Sequence, residues 1–451
     1  LRKITKTLHC PAKRRFFAAA LRLPFRWFAF LKNNRSLSGT MPAHVIQSVR
    51  ATDRRFTLHE GAGTDAVHAT TEYAYAVCHL RTDGGPEGIG LAFTLGAGND
   101  LVCRAIEYLA ESLVGREVED LMADFATTYR ALADSPTYRW LGPHKGVTHL
   151  ALAAIVNACF DLWAKSRGVP LWRLLLDLSP DALVALLDLS YLDDELTSDE
   201  ALAMLREAHP TRTQRADVLQ TGYRGYDTSV GWFNYSDEKI RENTRRAVDA
   251  GFTALKLKVG SDDPTRDLRR AALVRQTAGD AVTIMLDANQ KWSLPQALRM
   301  GRALADIQPY WLEEPTHPDD VLAHRRLVEA LAPVRIAAGE HIPNKVIFKN
   351  FLQARAMHFC QVDAVRVGGV AEFLAVSLLA KKFGVPVVPH VGDMGQLHQH
   401  LVLFNRVALG HEALFLEHIP HLRPYFRTPA RLESGVYQTP QEPGSSCDLV
   451  D

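Results

Sequence analysis

The chain of 451 residues, 47% apolar and 23% charged, has the composition of a soluble globular protein and the length of a large barrel plus a smaller domain. Its net charge of +1 hides an asymmetry: residues 1–40 hold ten Lys/Arg and no acid, so residues 41–451 carry 42 basic against 51 acidic groups, a net of −9. An acidic body without a basic stripe argues against a nucleic-acid partner, and the absence of 18 consecutive apolar residues argues against a membrane span.

Residues 1–40 are basic, aromatic and acid-free, as in RRFFAAALRLPFRWFAF. That composition suits a mitochondrial transit peptide. The preferred reading is an extension foreign to the fold, because a regular strand, HVIQSVRATDRRF, starts just after Met41. The expected location is then cytoplasmic, and mitochondrial if the extension is a genuine transit peptide. Six cysteines are scattered without a CxxC pair, which predicts buried reduced thiols.

Residues 41–182 read as an α+β domain. Strand alternation in HVIQSVRA and YAYAVCHLRT is followed by the turn DGGPEG and the segment IGLAFTLG. Two helical patterns come next, DLVCRAIEYLAESLVG ending at Gly115 and HLALAAIVNACFDLWAKSRG ending at Gly168. Ala151, Ala153, Ala154 and Ala158 predict close packing of the second helix on a neighbour. VALLDLSYL, from residue 184, reads as the first strand of a barrel spanning 183–424, and YDTSVGW (Tyr226 to Trp232) as an extra strand at its mouth. Residues 425–451 are Pro/Gly-rich and are expected to return to the first domain.

From Asp237 a βα rhythm takes over. Lys258, Asp287, Glu313, Glu340, Asp363 and His390 each end a short apolar run, at gaps of 29, 26, 27, 23 and 27 residues. That is one strand plus one helix per step, the period of a parallel barrel whose active site lies where the strands end.

Lys256 and Lys258 alternate onto one face of a strand. At about 7 Å and an effective dielectric near 20, their repulsion of roughly 2.4 kcal/mol predicts a depression of about 1.7 pKa units in one lysine, toward a general base. Asp287, Glu313 and Glu340 end successive strands, and a hard cation would relieve their repulsion. Oxygen-only ligands favour Mg2+ over zinc. Asn289 shares the face of Asp287. Of the adjacent Glu313 and Glu314 only one is expected to face inward, and Glu313 is chosen because it directly ends YWL. Asp363 and His390, on neighbouring strand ends, can pair so that the carboxylate fixes the imidazole tautomer. Glu417, after LFL, completes the rim, while His341, His398 and His400 are expected to be polar lining at most.

A cation beside a tuned lysine and an Asp/His pair suits removal of a proton α to a carboxylate. The segments RWLGPHKGVTHLALAAIVNACFDLWAKSRGVPLW, LKLKVG, LDANQKW, WLEEPTHPDD, AAGE, QVDAVRVGGV and AKKFGVPVVPH resemble those of the enolase superfamily. The likeness is to its mandelate-racemase-like group, and most of all to L-fuconate dehydratases and related sugar-acid dehydratases, over residues of about 50–440. The resemblance implies a modified TIM barrel, (β/α)7β, with an α+β capping domain, often in a homo-oligomer. It also implies Lys258 as base, Lys256 touching substrate, and Mg2+ on Asp287, Glu313 and Glu340. His390, paired with Asp363, becomes the acid for a leaving 3-hydroxyl, and Glu417 acts on the substrate carboxylate side. Gly63, Thr64, Asp65 and Tyr73 match a substrate-facing loop of the cap.

Two segments depart from that pattern. VGDMGQLHQH, after His390, is two residues shorter and more polar, and RFTLHEGAGTD lacks the usual Pro-Thr-Ser. Reaction class therefore transfers better than substrate. The function expected is a Mg2+-dependent dehydratase of L-fuconate or a similar aldonate such as a galactonate, giving a 2-keto-3-deoxy acid. The alternatives are a racemase or epimerase on the same scaffold, or a non-catalytic homologue.

Overall fold

The structure is a computed structural model that describes residues 43–69 and 71–450. The expectations for residues 1–40 lie outside the described residues.

The capping domain is built on an antiparallel sheet of β1 (Ile46–Thr57), β2 (Glu72–Thr82) and β3 (Glu87–Thr94). Helix Asn99–Ala110 and the long helix Gly146–Ser166 pack on it. The alanines of the long helix explain how close it comes. A Cβ on Gly90 of β3 would lie 1.9 Å from the Ala154 carbonyl oxygen, and one on Gly88 would lie 2.5 Å from that of Ala158. This helix is 21 residues long and apolar enough to cross a membrane, and 83% of its apolar window is buried inside the protein. The expectation from uninterrupted apolar runs is corrected to that extent: Asn157 and Asp161 interrupt the run but leave the helix strongly apolar overall.

The barrel strands are parallel. They are β4 (Tyr223–Gly231), β5 (Ala254–Lys258), β6 (Thr283–Asp287), β7 (Leu312–Glu313), β8 (Ile336–Ala338) and β9 (Phe359–Cys360), paired in that order. A bridge from Cys360 to Val387 adds a seventh position, and β10 (Phe415–His418) pairs with β4 to bring the sheet round. A helix follows each of the first seven, from Asp237–Asp249 to Gln396–Phe404, which makes the architecture (β/α)7β. Tyr226, Ala254, Met285, Trp311, Ala337, Phe359 and Val388 fill the barrel interior.

The first barrel strand is corrected. Residues 184–192 form no strand: Pro180–Ala185 is a short helix capped by Ser179, and turns follow it. The segment expected as an extra strand at the mouth lies within β4, which opens the barrel. Leu186, Leu187, Leu189 and Leu192 are all buried, and an apolar run that is buried without regular pairing has the composition of a core strand.

Cap and barrel meet beside the strand ends. Asn157, on the long cap helix, donates to the Ala364 carbonyl at 2.9 Å and accepts from Val370 N–H at 3.0 Å. After residue 424, β11 (Leu432–Glu433) and β12 (Val436–Tyr437) form a hairpin on β4, and Ser445 then donates to Asp161 of the cap helix. Four of the described cysteines are buried and Cys103 is half-buried, all as free thiols.

Candidate active site

Parallel strands end on one rim, so a charged residue closing each apolar run must face its counterparts. Lys256, on β5, is enclosed by three carboxylates: its Nζ lies 2.7 Å from Glu313, 2.8 Å from Glu417 and 3.4 Å from Asp287. Lys258, two residues on, donates to Asp287 at 2.5 Å. Burial opposes the charge on both lysines. Glu313 and Glu417 nevertheless raise Lys256 well above its ordinary value, and Asp287 does the same for Lys258. This corrects the expected depression: the lysines repel each other, but carboxylates outnumber them at closer range.

Asp287, Glu313 and Glu340 each bring an oxygen within 4.8 Å of the others, and all three are buried. Burial, followed by the like charge of Asp287, pushes the Glu313 carboxyl upward, and Glu340 Oε2 accepts no hydrogen bond among the described residues, its basic neighbour being His390 Nε2 at 3.3 Å. Clustered carboxylates, one oxygen without a hydrogen bond and an all-oxygen donor set fit a hard divalent cation of the Mg2+ type. Asn289 stands beside them at φ 43°, a conformation its side chain tolerates. Its N–H donates to Asp287 at 3.0 Å, and its side-chain oxygen is buried without a partner.

On the far side of the rim, His390 Nδ1–H donates to Asp363 at 2.6 Å, which leaves Nε2 facing Glu340 at 3.3 Å. Val365 and Gly392 N–H groups also donate to Asp363 and fix its plane. Burial opposes a charge on His390, yet the charge of Glu340 and the hydrogen bond to Asp363 raise its pKa to about 9. With Nδ1 held by Asp363, the ring can present a proton at Nε2. Thr228 donates to one oxygen of Glu417, whose other oxygen is buried without a partner.

The cap loop divides. Asp65 is placed near the lysines: burial works against its ionisation, but the hydrogen bond from His68 and the charge of Lys258 lower its pKa. Thr64, by contrast, spends its hydroxyl on the loop, donating to Gly61 and accepting from Asn234 N–H. The Tyr73 hydroxyl points at the Gly63 carbonyl, 3.5 Å away, and Gly63 takes φ 77° where a Cβ would meet Leu58 at 2.6 Å. These three shape the loop that carries Asp65.

Other residues were named from the sequence without their bonding. Glu314 is buried as well as Glu313, so the expectation that only one faces inward is corrected: φ of 40° at Glu314 breaks the strand alternation. It bonds Gln290 and His341, and His341 also reaches Glu340 at 3.1 Å. The adjacent acids and the Glu340–His341 pair were the available signals. His398 lies behind Asp363, with Nε2 accepting from Ala364 N–H and Nδ1–H donating to Asp393. His400 bonds Trp172 N–H and Ser446, which makes it a structural group.

Residues 48–175 match the family "Mandelate racemase / muconate lactonizing enzyme, N-terminal domain", and residues 239–451 match "Enolase C-terminal domain-like". The chain is 41% identical over 414 residues to an L-galactonate dehydratase of Hypocrea jecorina, covering 90% of this chain and 92% of that one. It is 40% identical over 416 residues to human mitochondrial enolase superfamily member 1, covering 90% and 94%. The crystal structure of that human protein superposes with a TM-score of 0.88 at 39% identity, over 91% of this chain and 95% of its own. An L-talarate/galactarate dehydratase from Salmonella typhimurium LT2, liganded with Mg and L-lyxarohydroxamate, superposes with a TM-score of 0.72 at 25% identity, over 93% of both chains. Barrel and cap agree with these matches: the chain belongs to the enolase superfamily, in its mandelate racemase/muconate lactonizing enzyme family.

Proposed function

We propose that this protein is a Mg2+-dependent dehydratase of a six-carbon sugar acid, with L-galactonate the first substrate to test. The observation that carries the reading is the order of groups round the rim. Lys258 stands on the second strand, three ligand-type carboxylates follow on the third to fifth, and His390 stands on the seventh, its Nδ1 held by Asp363. Mg2+ on Asp287, Glu313 and Glu340 would supply the positive charge that makes a proton α to a carboxylate removable.

The chain's own groups do the rest. Lys258 would receive the C2 proton in its neutral form, which becomes accessible once the Asp287 carboxylate that holds the ammonium is engaged as a cation ligand instead. His390 delivers its Nε2 proton to the C3 hydroxyl, which leaves as water, and the enol that remains becomes the 2-keto-3-deoxy acid. Asp363 keeps His390 in the tautomer that presents Nε2 to the substrate. Lys256, tied to Glu313 and Glu417, spaces the acids beneath the substrate carboxylate.

The relatives named as acting on L-galactonate and on L-talarate/galactarate support a polyhydroxy acid. L-fuconate differs from L-galactonate only in lacking the C6 hydroxyl, so it belongs in the same trial. The test is 2-keto-3-deoxy acid formation, read as semicarbazone absorbance, from a set of aldonic and aldaric acids with Mg2+. The expected result is turnover that EDTA abolishes and Mg2+ restores. Solvent-deuterium exchange at C2 without this product would establish a racemase or epimerase instead, and neither signal with any acid would remove the enzyme reading.

A further inference from the structure

Gln361 is the polar residue of the barrel mouth left unexplained by the site above. It is 1% exposed, and neither its amide oxygen nor its amide nitrogen has a hydrogen-bond partner among the described residues. A buried side-chain amide with both ends unpaired is rare in folded proteins, because each end loses water without replacement.

Its position shows where the amide is aimed. Phe359, two residues earlier, packs inside the barrel with its ring centroid 5.2 Å from that of Trp311, and Asp363, two residues later, faces His390. Past the end of β9, Gln361 N–H still donates to the Ala338 carbonyl of the neighbouring strand at 2.9 Å, so the strand's alternation carries on and places Gln361 on the same inward face. The neighbouring strand brings Glu340 to the same rim, and the residue before it is Gly339. A Cβ there would lie 2.4 Å from the Gln361 carbonyl carbon, so the bare glycine lets the two strand ends close up. Gln361 is thus fixed between the Glu340 and His390 positions. Asn289 Oδ1, Glu340 Oε2 and Glu417 Oε2, also unpartnered, belong to groups already assigned to cation or substrate; Trp232 Nε1, beside Lys258, offers a donor alone, so Gln361 stands out as the amide with both ends free.

We propose that Gln361 is a substrate-binding residue, its amide donating to and accepting from a hydroxyl of the sugar acid beyond the reacting carbons. The inference rests on the dehydratase reading. An amide suits a hydroxyl because each offers both a donor and an acceptor. An uncharged group also adds nothing to a rim already crowded with charge.

The test uses the full chain with L-galactonate and Mg2+, comparing wild type with Q361L and Q361M, which keep the volume and remove both polar ends. Steady-state kinetics, Mg2+ affinity by calorimetry without substrate, and the melting temperature of the Mg2+-loaded protein are measured together. The expected result is a fall in kcat/KM of about 10- to 100-fold, the effect of leaving a substrate hydroxyl unpaired, with Mg2+ affinity intact and melting temperature unchanged or raised. A kcat/KM within about 2-fold of wild type overturns the assignment. So does a matching fall in Mg2+ affinity, which would give the amide to the cation, or a loss of folding in both variants, which would make it structural. Absence of wild-type turnover overturns the dehydratase reading on L-galactonate and this inference with it.

Discussion

Lys256 and Lys258 are two residues apart on one strand, yet they are held differently. Lys256 has carboxylates on three sides and is sealed from solvent, whereas Lys258 bonds one carboxylate and lies 5.6 Å from the Trp232 ring centroid. A proton carrier must be reachable from the mouth, and Lys258 keeps a 7% exposed side chain where that of Lys256 is fully enclosed. Lys258→Ala is expected to lower kcat by on the order of 1,000-fold or more while Mg2+ affinity, read by calorimetry, is retained; substantial residual turnover would take Lys258 out of the proton transfer. His390→Asn separates the two halves of the reaction. Exchange of the C2 proton with solvent deuterium, followed by NMR, is expected to continue while keto-acid formation falls at least about 100-fold; loss of both signals together would contradict separate roles. Most of these residues were legible because each closes an apolar run at a strand's end. The inward turn of Glu314, the carboxylate bonding of His341 and the whole of Gln361 were not. Glu314 turns inward through a left-handed backbone that alternation does not foresee. Gln361 has no charge to mark it, and only its missing partners single it out.

Elements set the approach of cap to barrel. The long cap helix meets β3 through Gly88 and Gly90, and its Asn157 holds the chain just after Asp363. Alanines on the helix and glycines on the strand are two halves of one contact, of which only the helical half was read. Gly90→Ala places a methyl 1.9 Å from the Ala154 carbonyl oxygen, so strand and helix must separate. The expected loss is about 1–3 kcal/mol in urea unfolding, and an unchanged midpoint would show that the helix shifts freely. The misplaced first barrel strand has the same origin. Its leucines are buried by several elements at once, and neither period nor composition records how many neighbours an apolar run will meet.

At the scale of the whole molecule, burial makes stability depend on pH. His400 and His411 are neutral in the interior, where burial lowers their pKa values from 6.5 to about 3 and about 4. The unfolded chain binds a proton at each as pH falls through 6.5, and the folded chain does not. Their contribution is therefore complete above pH 6.5 and declines toward pH 4, by about 1.4 kcal/mol per pH unit for each histidine. Melting temperature is expected to drop steadily between pH 7 and 5, with a shallower slope in His400→Gln; a flat profile would mean that these rings take up their protons within the fold. The amino-acid sequence alone determined the βα period, the barrel class, the acid trio, the lysine pair and the Asp/His pair, because all of these follow from local spacing and residue type. Tertiary structure alone decided which strand opens the barrel, the direction of the lysine pKa shifts, the inward turn of Glu314 and the orphaned amide of Gln361. Those depend on which groups from distant parts of the chain come within a few ångströms, where charge and hydrogen bonding act.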